Sequence, residues 1–548
     1  MLNNKNEFTD EFIKNAYMKG KGRGPDHSVI RSVAKDCIFG FHRLAINGLS
    51  DISNQPIIIG NIALICNGEI YNYKKLYLMM GIEPKTKSDC EVIIHLYERY
   101  GIDHTLKMLD GVFALILCDF RTENDDTKIF VARDPLGVRP LYKLWKPLEK
   151  IHIFASEIKV LNDFHNKDQL NESNNQEQIT HFEPGTYSEF TLPFIAISQW
   201  KLTKDCVVYW TPGSNANYES EYSTVLKNIR RHLSLAVEKR VLATERPIAC
   251  LLSGGLDSSI ITSLVNMYHK DASKPLETYS IGLENSVDLV YAKKVADFLG
   301  THHTEIKLTE KDFMDAIPEV IYAIESYDTT TVRASIGNYL LGKYISRHSD
   351  AKVIFNGDGS DELTGGYKYM NCAPDAIEFD RECKRLLSEI HKYDVLRSDK
   401  CISSHGLEPR TPFLDKSFLQ YYLGIDPILR FHPKQNKCEK YLIREAFVDK
   451  ENPFLPEDVL FRRKEAFSDG VGNSQRTLFQ IIPEYLQGVK TEVYRVYNDN
   501  EPKTQEQLYY RNLFEEYYPN VSNSSILPCF WSPKYIESHD PSARSWNI

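Results

Sequence analysis

The segment Leu251-Leu252-Ser253-Gly254-Gly255-Leu256-Asp257-Ser258-Ser259 joins an apolar run to a helical pattern through two glycines and three hydroxyls. Glycines let backbone amides turn toward a ligand. A helix N-terminus behind them adds partial positive charge, and serine hydroxyls donate to phosphate oxygens. The spacing therefore describes a phosphate cradle, with a serine-glycine turn that only caps a helix as the plain alternative. It lacks the lysine of the G-x-x-x-x-G-K-[ST] loop, so γ-phosphoryl transfer is not the chemistry it suggests.

The elements around this loop must hold it rigidly. After a change of character at TPGSNANYESEYS, the chain reads as an amphipathic helix (YSTVLKNIRRHLSLAVEKRV), a buried strand (IACLLSG), a helix, a strand (ETYSIGL), a helix and a third strand (KVIFNGDG). Strands alternating with helices imply parallel βαβ units, a doubly wound sheet and a ligand crevice at the strands' carboxyl ends. The stretch from Asp375 to about Tyr518 reads as mostly helical. The first 200 or so residues read differently. Short apolar runs bounded by Gly, Asn or Asp (KDCIFGFHRLAI, NIALICNGEIY, GVFALILCDF, KIFVARD, IHIFASE) suggest an α+β domain of stacked sheets, with a helix in DCEVIIHLYERYG that stops at Gly101. The Asn- and Gln-rich run from Asn162 to Thr180 reads as a surface loop. The expected organisation is a domain at 1–205, a linker at 206–223 and a domain at 224–548.

Composition sets the outer limits. The 548 residues are 42% hydrophobic and 26% charged, with a net charge of −9. These are globular values for a chain of more than one domain, and they speak against a nucleic-acid partner, which usually leaves a basic patch. No run approaches the roughly 18 apolar residues of a membrane span, and the N-terminus has no signal-peptide pattern, so a cytoplasmic protein is expected. The eleven cysteines are scattered without a C-x-x-C pair and read as reduced core residues.

Ser253 to Ser258 resembles the pyrophosphate loop of the ATP pyrophosphatases, which split ATP into AMP and pyrophosphate to adenylate an acid. A narrower resemblance rests on Tyr327-Asp328-Thr329-Thr330-Thr331-Val332-Arg333-Ala334-Ser335, Asn356-Gly357-Asp358-Gly359-Ser360-Asp361-Glu362 and Arg463-Lys464-Glu465-Ala466-Phe467-Ser468-Asp469-Gly470-Val471-Gly472. These run in the order seen in glutamine-dependent asparagine synthetases. The tail Ser532-Pro533-Lys534 … Asp540-Pro541-Ser542-Ala543-Arg544 is similar to the eukaryotic form.

This resemblance implies ATP-driven amidation of aspartate through β-aspartyl-AMP. It implies an ATP site of Leu252, Ser253, Gly254, Gly255, Asp257, Ser258, Ile281, Gly282, Asn356 and Gly357, with Leu252 and Ile281 flanking adenine. Asp257 and Asp361 would hold Mg²⁺ on the pyrophosphate, an ion that suits hard carboxylate oxygens. Lys464 would neutralise phosphate charge, and Thr330 with Arg333 would hold aspartate, a guanidinium being well shaped for carboxylates. Asp358 stands where the family usually has Glu, and Asn356 where it usually has Ser. Taken singly, any of these charges could be a surface ion pair.

The N-terminal domain resembles the class-II glutamine amidotransferases, of the N-terminal-nucleophile type. The resemblance rests on Arg23-Gly24-Pro25-Asp26, Phe41-His42-Arg43-Leu44-Ala45-Ile46, Cys66-Asn67-Gly68-Glu69-Ile70-Tyr71-Asn72 and Ser88-Asp89-Cys90-Glu91. It implies a glutamine site of Arg43, Leu44, Ala45, Ile46, Asn47, Asn67, Gly68, Glu69 and Asp89, with Asn67 and the Gly68 amide as oxyanion hole. The family's nucleophile is a cysteine directly after Met, whereas this sequence begins Met1-Leu2-Asn3. The reading is thus either a start downstream of the true one or a domain without catalysis, with free ammonia as nitrogen donor for the chain as written. Two other functions stay open beside it. One is a related adenylating amide synthase of the β-lactam-forming kind, against which Thr330 and Arg333 argue. The other is a non-catalytic nucleotide-binding scaffold. A homodimer is compatible with the resemblance.

Overall fold

A computed structural model describes the chain except for residues 122–125, 166–177, 195–198, 214–220, 270–273, 434, 436, 464–477, 489–496, 498, 520, 522 and 537–548. The chain divides into two compact units, Met1–Thr211 with Glu515–Pro528, and Pro212–Phe514 with Cys529–Ile548. Among the described residues no helix is long and apolar enough to cross a membrane.

The first unit contains the strands β1 (His27–Ala34), β2 (Cys37–Arg43), β3 (Ile57–Ile59), β4 (Ile62–Ile70), β5 (Gly111–Asp119), β6 (Thr127–Arg133), β7 (Tyr142–Lys146), β8 (Ile151–Ala155), β9 (Gln178–His181), β10 (Thr186–Leu192) and β11 (Lys201–Val208). Six of them form an antiparallel sheet in the order β11-β10-β6-β5-β4-β3. The pair β1-β2 and the trio β8-β7-β9 are linked through Leu2, which bridges Cys37 on one side and His152 on the other. Alternating side chains fill the space between the two layers. Leu2, Cys37 and Phe39 share one core with Ala63, Ala114, Cys118, Ile129 and Val131 of the six-stranded sheet. Its other face packs Leu64, Leu115 and Leu117 against Ile93 and Leu96 of the helix Val92–Met108. That helix breaks at Gly101 (φ 72°), where the sequence places its stop, but resumes to Met108.

Two expectations need correction. The stretch from Asn162 to Thr180 is not wholly loop. Asn162–Phe164 forms a 3₁₀ turn, and Gln178–His181 is β9, which gains its ladder from β7 and further bonds from the C-terminal segment: Ser525 Oγ donates to Ile179 O at 2.7 Å. The linker is also shorter than 206–223, because β11 runs to Val208 and the next helix starts at Tyr222. Glu515–Pro528 joins the first unit, which residue order alone does not suggest.

The second unit is built on a parallel sheet of β12 (Ile248–Leu251), β13 (Glu277–Leu283), β14 (His302–Leu308), β15 (Val353–Phe355) and β16 (Glu408–Arg410), in the order β14-β13-β12-β15-β16. Helices Tyr222–Leu242, Leu256–Tyr268, Val287–Leu299 and Thr329–His348 connect and cover it. Beyond Asp375 the described residues are mainly helical, as expected. The edge strands β14 and β16 were not among the expected elements. The first is only half-buried along its length, and the second is a three-residue strand containing Pro409.

Candidate active site

Chain connections run from β12 outward to β13 and β14 on one side, and from β15 to β16 on the other. The reversal falls between the neighbours β12 and β15, and their carboxyl ends open a crevice there. A cavity of about 230 Å³ occupies it. Both loops that leave these strands line it: Ser253 to Ser258 after β12, and Asn356 to Glu362 after β15.

Sterics explain a glycine in each of these loops. Gly254 has φ +71°, and a Cβ there would lie 2.4 Å from the Ala292 amide nitrogen. A Cβ on Gly357 would lie 2.8 Å from the Asp257 carbonyl carbon, so the second loop can touch the first only without a side chain at that point. Ser253 and Ser258 hydroxyls lie 3.0 Å apart, and Ser258 Oγ accepts from the Ser253 amide at 3.2 Å. Gly255 starts the helix Leu256–Tyr268 with no side-chain cap, which leaves the first amides of that helix for a ligand.

Charge is concentrated on the other wall. Lys440 Nζ lies 2.6 Å from both Asp257 Oδ2 and Asp361 Oδ1, and Asp257 Oδ1 accepts from Ser360 Oγ at 2.8 Å. The two carboxylates predicted to hold a metal thus converge on one buried cation. Nothing in the sequence singles out Lys440. It opens the short helix Tyr441–Ala446 in a left-handed conformation, φ +61°. Among the described residues no three His, Cys, Asp or Glu side chains cluster as a protein-only metal cage. Two carboxylates beside a phosphate loop match an ion that keeps waters and binds substrate phosphates.

Arg397, also absent from the sequence-based set, donates to Asp358 Oδ1 at 3.3 Å and pairs closely with Asp394. Burial pushes the Asp394 carboxyl up, with Arg397 opposing, and pushes Glu362 well up with help from Asp394 and Asp361. In both, burial disfavours the charged form. Asp358 and Thr330 line the cavity, and Asp358 Oδ2 and Thr330 Oγ1 are buried with no hydrogen-bond partner among the described residues. Arg333 lines it as well, with Nε and Nη2 bonded to Glu506.

Of the predicted nucleotide residues, Leu252, Ser253, Gly255, Asp257, Ser258, Ile281, Asn356 and Gly357 line the cavity, while Gly254 and Gly282 do not. A Cβ on Gly282 would lie 2.5 Å from Ser286 Oγ. Asn356 is held by Ser398, to whose Oγ its Nδ2 donates at 2.9 Å. Lys464 and the tail from Asp540 to Arg544 lie outside the described residues.

In the first unit hydrogen bonds fix the predicted glutamine residues, and Arg43, Asn47 and Glu69 are joined in one run of bonds. Arg43 is buried and donates to Asn54 Oδ1 at 2.7 Å, to Ser50 O at 3.3 Å, and to the carbonyls of Asn47 and Gly48. Asn47 Nδ2 donates to Glu69 Oε2 at 2.7 Å, and Asp89 Oδ2 accepts from the Ile70 amide at 2.7 Å. Asn67 donates to Ser156 Oγ at 3.0 Å, and a Cβ on its neighbour Gly68 would lie 2.1 Å from Val112 O. Leu44, Ala45 and Ile46 follow β2. Asp26 fixes the turn by accepting from the Ala45 amide at 2.9 Å. Asn54 and Ser156 carry no motif signal. Cys37, Cys66 and Cys90 are buried, as their apolar surroundings predict.

Comparison with known proteins identifies the family. The chain matches the asparagine synthase family over residues 228–376 and 373–525, and the glutamine amidotransferase domain family over residues 1–195. It is 42% identical to the asparagine synthetase [glutamine-hydrolyzing] of Gallus gallus, an alignment covering 96% of this chain and 94% of that protein. With the proteins of the same name from Homo sapiens and Mus musculus it shares 40% identity over the same fractions. With both domains matched and the identity spread along nearly the whole chain, it belongs to the glutamine-hydrolysing asparagine synthetase family.

Proposed function

We propose that the chain converts L-aspartate to L-asparagine with ATP, releasing AMP and pyrophosphate, with glutamine as the family's nitrogen source. The observation that carries this reading is the single cavity where the glycine-serine loop, the Asp257/Asp361 pair and Arg333 meet. Aspartate's β-carboxylate attacks the α-phosphorus of ATP and expels pyrophosphate. Ammonia then adds to the acyl carbon of β-aspartyl-AMP, gives up a proton, and AMP leaves.

In this reading the amides after Gly254 and the hydroxyls of Ser253 and Ser258 take the phosphates, Leu252 and Ile281 flank adenine, and Asn356 with Gly357 contacts the nucleotide. Thr330 and Arg333 bind aspartate. The partnerless Asp358 oxygen orients the substrate or accepts ammonia's proton. Mg²⁺, held by Asp257 and Asp361, would supply charge neutralisation on the departing pyrophosphate. Lys440 holds the two carboxylates together, and Lys464 belongs to the same phosphate-binding set. The amidotransferase unit binds glutamine through Arg43 and Asp89, with Asn67 and the Gly68 amide as oxyanion hole. The two folds are of the N-terminal-nucleophile and ATP-pyrophosphatase types, in a cytoplasmic protein.

Product analysis tests the reading. Purified protein is expected to form AMP and pyrophosphate only when ATP, aspartate and Mg²⁺ are all present. Asp257→Asn should lower the rate by orders of magnitude through loss of charge stabilisation at the transferring phosphorus. ADP as product, or AMP without aspartate, overturns it.

A further inference from the structure

Arg333 lies in the second turn of the helix Thr329–His348 and lines the cavity. An arginine can turn about its stem, so binding a carboxylate well requires something to hold the fork in place. Glu506 does this from the first turn of the helix Gln505–Tyr517. Nε donates to Glu506 Oε1 at 2.8 Å and Nη2 to Oε2 at 2.5 Å, so one edge of the guanidinium is clamped by both oxygens of a single carboxylate. Both residues are 4% exposed.

The clamp is itself held. Tyr510, one turn later on the same helix and fully buried, donates to Glu506 Oε1 at 2.8 Å. The N-terminus of the Arg333 helix is tied down separately. Asp328 caps it by accepting from the Thr331 amide at 2.8 Å, and its other oxygen accepts from the Trp531 amide at 2.7 Å. Glu506 does not line the cavity.

We propose that Glu506, with Tyr510 behind it, is the positioning residue that fixes Arg333 for aspartate, so that the C-terminal part of the second unit governs aspartate affinity separately from ATP affinity. This rests on the reading of Arg333 as the aspartate-binding arginine. A glutamine at 506 keeps the shape but turns an N–H donor toward the guanidinium's own N–H groups, which opens the fork.

Steady-state kinetics of the full chain, with ammonium as nitrogen donor, tests it. Glu506→Gln is expected to raise KM for aspartate about tenfold or more, the scale of a lost charge-assisted bond, while KM for ATP stays within about twofold. Tyr510→Phe, a milder change that keeps the ion pair, is expected to raise KM for aspartate about threefold and serves if Glu506→Gln does not fold. Arg333→Gln separates the two ideas. If it raises KM for aspartate and neither Glu506→Gln nor Tyr510→Phe does, the positioning role is overturned and the aspartate site stands. If Arg333→Gln leaves KM for aspartate unchanged, the Arg333 reading fails and the inference with it. Adding Glu506→Gln to Arg333→Gln should give no further rise, and a multiplicative effect overturns the proposal.

Discussion

Asp358 concentrates the chemistry of the cavity at the residue scale. One of its oxygens meets Arg397 at 3.3 Å and the other is buried without a hydrogen-bond partner among the described residues. An unpaired buried carboxylate oxygen is costly unless a ligand completes it. Asp358→Asn is therefore expected to lower asparagine formation by about 100-fold, the scale of a lost general base, while Asp358→Glu, which restores reach, keeps most of it. Equal activity in the parent and both variants, measured as aspartate-dependent AMP release, would remove Asp358 from the chemistry. The carboxylate was legible as part of the run Asn356 to Glu362. Its partner Arg397 was not, because it sits in a helix whose local sequence reads as an ordinary charged surface.

At the scale of elements, the two loops that leave β12 and β15 meet backbone against backbone. Gly357 lies against the backbone of Asp257, and an added methyl would come within 2.8 Å of the Asp257 carbonyl carbon and Cβ. Backbone cannot move aside as a flexible side chain does. Gly357→Ala is expected to separate the loops and raise KM for ATP about tenfold, a loss on the scale of one phosphate-binding interaction. An unchanged ATP dependence in initial-rate measurements would show that the loops need not touch. The strands that carry these loops, β12 and β15, were readable because each is a continuous apolar run, as expected of strands covered on both faces, and β13 because Tyr279, Ile281 and Leu283 alternate with smaller residues. Strand β14 exposes enough polar side chain to blur that signal, and β16 is shorter than any periodicity can register. β9 lay in text too polar to read as a strand, and it is held by pairing with β7.

For the whole molecule, every residue lining the synthetase cavity belongs to the second unit, so ammonium should serve this site without glutamine cleavage. Asparagine formation with ammonium as nitrogen donor is expected to rise with pH above neutrality as more of the pool becomes NH₃, the attacking species. A flat pH profile of initial rates at fixed total ammonium would refute this. Local sequence by itself determined the phosphate loop, the acidic run after β15, the strand-helix alternation and the membership of both domains, since each is written in residues a few positions apart. Tertiary structure alone decided which charges meet. Lys440 lies 183 residues from Asp257, and Glu506 lies 173 from Arg333. A lysine or glutamate at such a distance leaves no periodicity and reads as a solvated surface charge. Only burial, which makes an unpaired charge too costly to keep, turns it into a partner.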